Sequence, residues 1–149
     1  MSRPSGAPGP IQPADLRVLP RLILLQTRAR LLLHLLPPDA FAAAALGPRR
    51  SRRSLHAAAA DVARIGRITD WWMRRTRVGR APCTLRAWCR MRLLRDEGLA
   101  ASYCSGVRSG QDLDAHAWVE VDGHALFEPT PVDGWSVLLR LPPTPNVPR

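Results

Sequence analysis

Asp114-Ala115-His116-Ala117-Trp118-Val119-Glu120-Val121-Asp122-Gly123-His124-Ala125-Leu126-Phe127-Glu128 is the stretch that decides the fold. From Ala115 to Val121 the run alternates with period 2, as a strand does. Asp122-Gly123 is a turn pair, and His124 to Glu128 reads as the returning strand. Upstream, Leu99 to Val107 reads as another strand, joined through the turn Ser109-Gly110-Gln111-Asp112. Before Gly98 the period is 3.6. Cys83 to Glu97 predicts a helix that stops at Gly98, a residue suited to the position past a helix end. Ser54 to Arg75 predicts a second helix, with Ser54 as N-cap and Leu55, Ala59, Val62, Ile65, Ile68 and Trp72 as its buried stripe. Ala14 to Leu36 predicts a third, ended by Pro37-Pro38, with Pro20 either a kink or the true start. Helices first and an antiparallel sheet second make an α+β domain.

The 149 residues suit one domain. Residues 1–13 are rich in Pro, Gly and Ser and read as disordered. Residues 14–141 read as the domain, with a helical part over 14–80 and a core over 81–130, and 142–149 as a Pro-rich tail. The chain beyond Pro129 reads as irregular. Gly47-Pro48 with Arg49, Arg50, Arg52 and Arg53 reads as an exposed loop, and Thr76 to Pro82 as a connector. All 22 basic side chains are arginine against 12 acidic ones, a net charge of +10. That charge favours acidic partners, although an arginine-only, alanine- and proline-rich composition reads mostly as a coding bias. The arginines are dispersed and no nucleic-acid-binding motif is present, which argues against a DNA or RNA partner. Leu22 to Leu36 is interrupted by Gln26, Thr27, Arg28 and Arg30, so no stable membrane insertion is expected. The N-terminus lacks the apolar core of a signal peptide. Cys83, Cys89 and Cys104 are odd in number and lack metal-ligand spacing, so neither a disulfide scaffold nor a metal site is expected. A cytoplasmic protein without cofactor is the expectation.

Cys83 opens its helix, and His116 lies on the first strand of the hairpin. A free thiol has a pKa of about 8.5, and the thiolate is the nucleophile. The unpaired N–H groups at a helix start favour that anion. An imidazole can take the thiol proton and later protonate a leaving amine, and a carboxylate can orient the imidazole. Glu128 is the candidate carboxylate. With a two-residue turn at Asp122-Gly123, Glu128 and His116 fall on opposite faces. A three-residue loop, Val121-Asp122-Gly123, instead sets His116 opposite Glu128 and gathers Ala117, Val119, Ala125 and Phe127 on one apolar face. That loop is the expected one. Each residue also has a plainer reading. Cys83 can be a small buried hydrophobe, His116 a structural histidine and Glu128 an edge-strand charge. Cys89 and Cys104 read as core thiols, Trp71, Trp72, Trp88 and Trp118 as packing, and His34, His56 and His124 as bystanders.

Cys83-Thr84-Leu85-Arg86-Ala87, Leu93-Leu94-Arg95-Asp96-Glu97-Gly98-Leu99-Ala100, Ser105-Gly106-Val107 and Ala115-His116-Ala117-Trp118-Val119-Glu120-Val121-Asp122-Gly123 together resemble the transglutaminase-like leader peptidases of lasso-peptide biosynthesis, the protease half of a split maturation system. The resemblance covers Pro82 to about Pro129 well and the helical half in character only. It implies a papain/transglutaminase-like core and a Cys-His-Asp type triad falling on Cys83, His116 and Glu128, where Glu replaces Asp. Thr84 also departs from the usual apolar residue. The implied activity is removal of the leader from a ribosomally made precursor peptide. The implied partners are a separate winged-helix leader-recognition protein and an ATP-dependent macrolactam synthetase. The alternative is a catalytically degenerate scaffold that binds a peptide or a partner protein.

Overall fold

The computed structural model describes residues 10–48, 52–76, 82–110 and 113–143. The expectations for most of 1–13, for Arg49 and Arg50, for most of the 76–82 connector, for Gln111-Asp112 and for most of the Pro-rich tail lie outside the described residues.

Among the described residues four α-helices precede the sheet: α1 (Leu19–Leu35), α2 (Pro38–Ala43), α3 (Ala59–Arg75) and α4 (Pro82–Asp96). Pro20 marks the start of α1, after a 3-10 turn over Asp15–Val18, because its fixed φ suits a first turn and its missing N–H costs nothing there. Ser54 does not cap α3. Its Oγ accepts the Ala57 N–H at 3.2 Å and closes a separate turn, and the helix begins five residues later at Ala59. The core side of α3 is Ile65, Gly66, Ile68, Thr69 and Met73, while Ala59 is exposed. Gly98 ends α4 as expected, with φ 85°. The Leu99 N–H bonds the Leu94 carbonyl and the Gly98 N–H bonds the Arg95 carbonyl, each at 3.0 Å, so the last carbonyls of the helix are satisfied. Arg53 was expected in an exposed loop but ties the α3 approach to the end of α4, through Asp61 at 3.1 Å and the Glu97 carbonyl at 3.3 Å.

The sheet comprises β1 (Ala101–Arg108), β2 (Asp114–Val121), β3 (His124–Leu126) and β4 (Ser136–Leu141), in the antiparallel order β3-β2-β1-β4. Ala101, Tyr103, Ala117, Val119 and Val121 face the helices and join Leu85, Trp88, Leu94, Ile65 and Ile68 in one core. Each fully buried aliphatic side chain there contributes about 2 kcal/mol. Trp88 is fully buried because its Nε1 donates to the Phe41 carbonyl at 2.8 Å, which joins α4 to α2.

Two further expectations are corrected. The chain beyond Pro129 is not irregular throughout, because β4 returns along the free edge of β1. Arg140, opposite Cys104, reaches diagonally across β1 to Glu120 on β2 at 2.9 Å. Glu120 is 6% exposed and also accepts the Trp118 Nε1–H at 2.9 Å. Burying that carboxylate requires both partners, which gives β4 a place in the sheet. The hairpin register is also corrected. Val119 faces Leu126, Glu120 faces Ala125 and Val121 faces His124, with Asp122 (φ 50°) and Gly123 (φ 79°) forming a two-residue turn. Two consecutive left-handed residues match strand twist, and Asp-Gly supplies them at low cost. The three-residue loop is absent.

Candidate active site

A cleft of about 270 Å³ opens where β3 leaves β2, since their pairing goes no further than Val119 and Leu126. Helix α4 supplies Cys83, Arg86, Ala87 and Arg90 to one wall. Strand β2 supplies Asp114 to Val119, including His116, and the chain after β3 supplies Phe127, Glu128 and Trp135. Cys83, His116 and Glu128 therefore line one cavity, although they are far apart in sequence. His34, His56 and His124 are not among its lining residues.

His116 Nε2 lies 2.7 Å from Glu128 Oε2. Toward a carboxylate the ring nitrogen is the donor, and the neutral tautomer that donates from Nε2 presents Nδ1 as an acceptor. The two-residue turn should have put these side chains on opposite faces. They meet because Phe127 has φ 66°, a left-handed backbone that exchanges the faces of the residues around it. Phe127 turns toward the helices and Glu128 swings to the histidine. Glutamate in place of aspartate thus still reaches the ring, with the carboxyl side chain 13% exposed.

Cys83 is the second residue of α4, half-buried at the cleft wall. The other two thiols are fully buried. Burial pushes Cys89 up to about 12 and Cys104 up to about 11, so neither ionises near neutral pH. Among the three cysteines Cys83 alone meets the cleft. Tyr103 packs beneath the start of α4, and burial pushes its phenol up to about 12, so it remains a neutral hydroxyl.

Trp135 was not anticipated. Its ring centroid lies 5.3 Å from that of His116 and 6.4 Å from that of Trp118, so the imidazole is shielded on one side by aromatic surface. Arg108 lies 4.7 Å over the Trp135 ring and pairs with Asp114 at 3.3 Å. Trp135 stands just before β4 in a segment full of proline and glycine, and nothing in its local pattern marks it. Arg90 was also missed. It is 3% exposed and bonds Thr69 at 2.9 Å and Asp70 at 2.6 Å. Burial lowers its pKa to about 10, which leaves it a cation at neutral pH. Its position in the arginine-rich α4 hid it. Among the described residues no group of His, Cys, Asp and Glu is arranged to hold a metal ion, and no helix is long and apolar enough to cross a membrane.

The transglutaminase-like superfamily model matches residues 23–140, from α1 through β4. No curated protein and no solved structure matched the chain. The matched span holds β1, β2, β3 and all but the last residue of β4, with the helix that carries Cys83 and the chain after β3 that carries Glu128. The chain belongs to the transglutaminase-like superfamily.

Proposed function

We propose that this protein is a cysteine peptidase that removes the leader from a ribosomally made lasso precursor peptide before macrolactam formation. The observation that carries the reading is the 2.7 Å contact of His116 Nε2 with Glu128, on a cleft that Cys83 also lines. The superfamily includes cysteine-peptidase-like members and commonly uses Cys-His-Asp chemistry. The lasso context rests on the resemblance of the Cys83 and His116 segments described above.

In the proposed reaction His116 Nδ1 takes the Cys83 proton, and Sγ attacks the scissile carbonyl carbon. The new C–S bond pushes the carbonyl electrons onto oxygen, which the Cys83 backbone N–H at the helix start can stabilise. Collapse breaks the C–N bond, and the imidazolium gives its proton to the departing amine, the N-terminus of the core peptide. Water then attacks the thioester with His116 as base, releasing the leader carboxylate and the thiol. The freed amine is the group that an ATP-dependent synthetase would join to an Asp or Glu side chain. A separate winged-helix protein would hold the leader. The helical half is the proposed docking region for it, since α1 exposes Leu24, Leu31 and Leu35.

The test is mass spectrometry of a precursor peptide encoded beside this gene, incubated with the protein and the neighbouring recognition protein. Cys83→Ala should abolish leader release while its circular dichroism stays that of the parent. Cleavage by that variant would overturn the reading. A parent protein that binds the precursor without cleaving it would select the degenerate-scaffold alternative.

A further inference from the structure

Phe127 carries a backbone that a bulky aromatic residue rarely adopts, with φ 66°. A left-handed residue with a Cβ costs about 1–2 kcal/mol, and it persists only where its surroundings hold it. The ring is held on two sides. On α3, a Cβ built on Gly66 would stand 2.9 Å from both Cδ1 and Cε1 of Phe127, so the ring occupies the space where any other residue would have a side chain. On α4, the Arg90 guanidinium lies 4.5 Å from the ring centroid, and Thr69 and Asp70 fix that guanidinium in turn. One residue later, Glu128 meets His116.

We propose that Gly66, Arg90 and Phe127 form a clamp that aims the Glu128 carboxylate at His116, making them positioning residues of the cleft. The clamp rests on the reading that Cys83, His116 and Glu128 act together. Its logic is steric first. In the two-residue-turn register an unstrained strand would carry Glu128 away from His116. The pocket at Gly66 accepts the Phe127 ring only when the backbone turns left-handed, and that turn delivers the carboxylate. Arg90 adds charge: it and Glu128 attract each other, so the cation that grips the ring also draws the carboxylate inward.

The experiment measures the second-order rate of Cys83 alkylation by iodoacetamide at pH 7, with the modified residue identified by peptide mapping. The proteins are the parent, Gly66→Ala, Phe127→Gly, Glu128→Gln and the Gly66→Ala/Glu128→Gln double variant. Gly66→Ala gains helix propensity against the cost of crowding the ring, and Phe127→Gly frees positive φ against the loss of the ring's packing, so circular dichroism on each sample establishes that the variant assayed is folded. Glu128→Gln should slow alkylation roughly tenfold, the scale of one charge-assisted hydrogen bond. Gly66→Ala and Phe127→Gly should each slow it comparably. The double variant should be no slower than Glu128→Gln alone, because both changes remove the same contact. Multiplying losses would mean Gly66 acts independently of Glu128 and would overturn the clamp. So would parent-like rates in Gly66→Ala and Phe127→Gly beside a slow Glu128→Gln. If Glu128→Gln itself reacts at the parent rate, the three-residue catalytic reading fails and the clamp with it.

Discussion

Gly106→Ala should loosen β4 and the tryptophan it delivers to the cleft. Gly106 sits where the β1–β4 register shifts, and a Cβ there would stand 2.6 Å from the Ser136 carbonyl oxygen. Ordinary contact begins at 3.4 Å, so the backbone of β4 must retreat by about 0.8 Å. The same Cβ would lie 3.1 Å from Trp118 Cη2, a ring already packed beside Trp135. The obstruction is backbone rather than a flexible side chain, so rotamer change cannot relieve it. Overpacking of this kind costs about 1–3 kcal/mol. At this chain length about 2 kcal/mol lowers Tm by roughly 4–8 °C. The assay is thermal unfolding by far-UV circular dichroism, with the tryptophan emission maximum and the Cys83 alkylation rate read on the same samples. The variant should melt early and show a red-shifted emission, because Trp135 directly precedes the displaced strand. A Tm within about 1 °C of the parent with unchanged emission would refute the close approach and the role given to β4.

Glu120→Ala should cost about 3 kcal/mol in urea unfolding, since it leaves Arg140 beside a buried vacancy and orphans the Trp118 N–H; a loss under about 0.5 kcal/mol would show that this cluster does not pin β4. Asp15 is fully buried and accepts from Arg67 at 2.8 and 2.9 Å, and that hydrogen bond holds its carboxyl below the usual range. Its stabilisation is present above the unfolded value of about 3.9 and is lost as pH falls through the lower folded value. Asp15→Asn should therefore be less stable than the parent by about 3 kcal/mol at pH 7, with the gap closing toward pH 2; a gap that does not depend on pH would remove the ion pair as its cause.

Helices α1, α3 and α4 and the first three strands were legible because their periods differ sharply and because Pro20, Pro37-Pro38 and Gly98 punctuate them, whereas α2 was not, since six residues are too few to show a helical period. Residues such as Ile65, Ile68, Ala117 and Val119 face the core where their spacing puts them. Strand β4 was illegible for a physical reason. Its residues Ser136-Val137-Leu138 are exposed and do not alternate, so no local burial pattern marks them. What holds the strand is distant: the β1 edge, and the Arg140–Glu120 pair across it. A single-chain pattern carries no trace of such partners. Trp135 shares this fate, since its meaning comes from His116 across the cleft.

At the candidate site His116 and Glu128 come into contact in a register other than the expected one. Pairing by apolar pattern favoured the three-residue loop, because it placed Ala117, Val119, Ala125 and Phe127 on one face. In the structure Asp122 and Gly123 satisfy the tighter turn, and the sheet keeps Leu126 against Val119. Phe127 still reaches the helix side, as the apolar argument required, but it does so by reversing its own φ rather than by a bulge at the turn. Burial of the ring therefore fixes which face Glu128 takes in either geometry. The difference lies in where the strain is stored: at a turn glycine it would be nearly free, whereas at Phe127 it must be held by packing on Gly66 and Arg90. A site built in the second way couples its carboxylate to the α3–α4 interface, so mutations between those helices should reach His116 although none of them touches it.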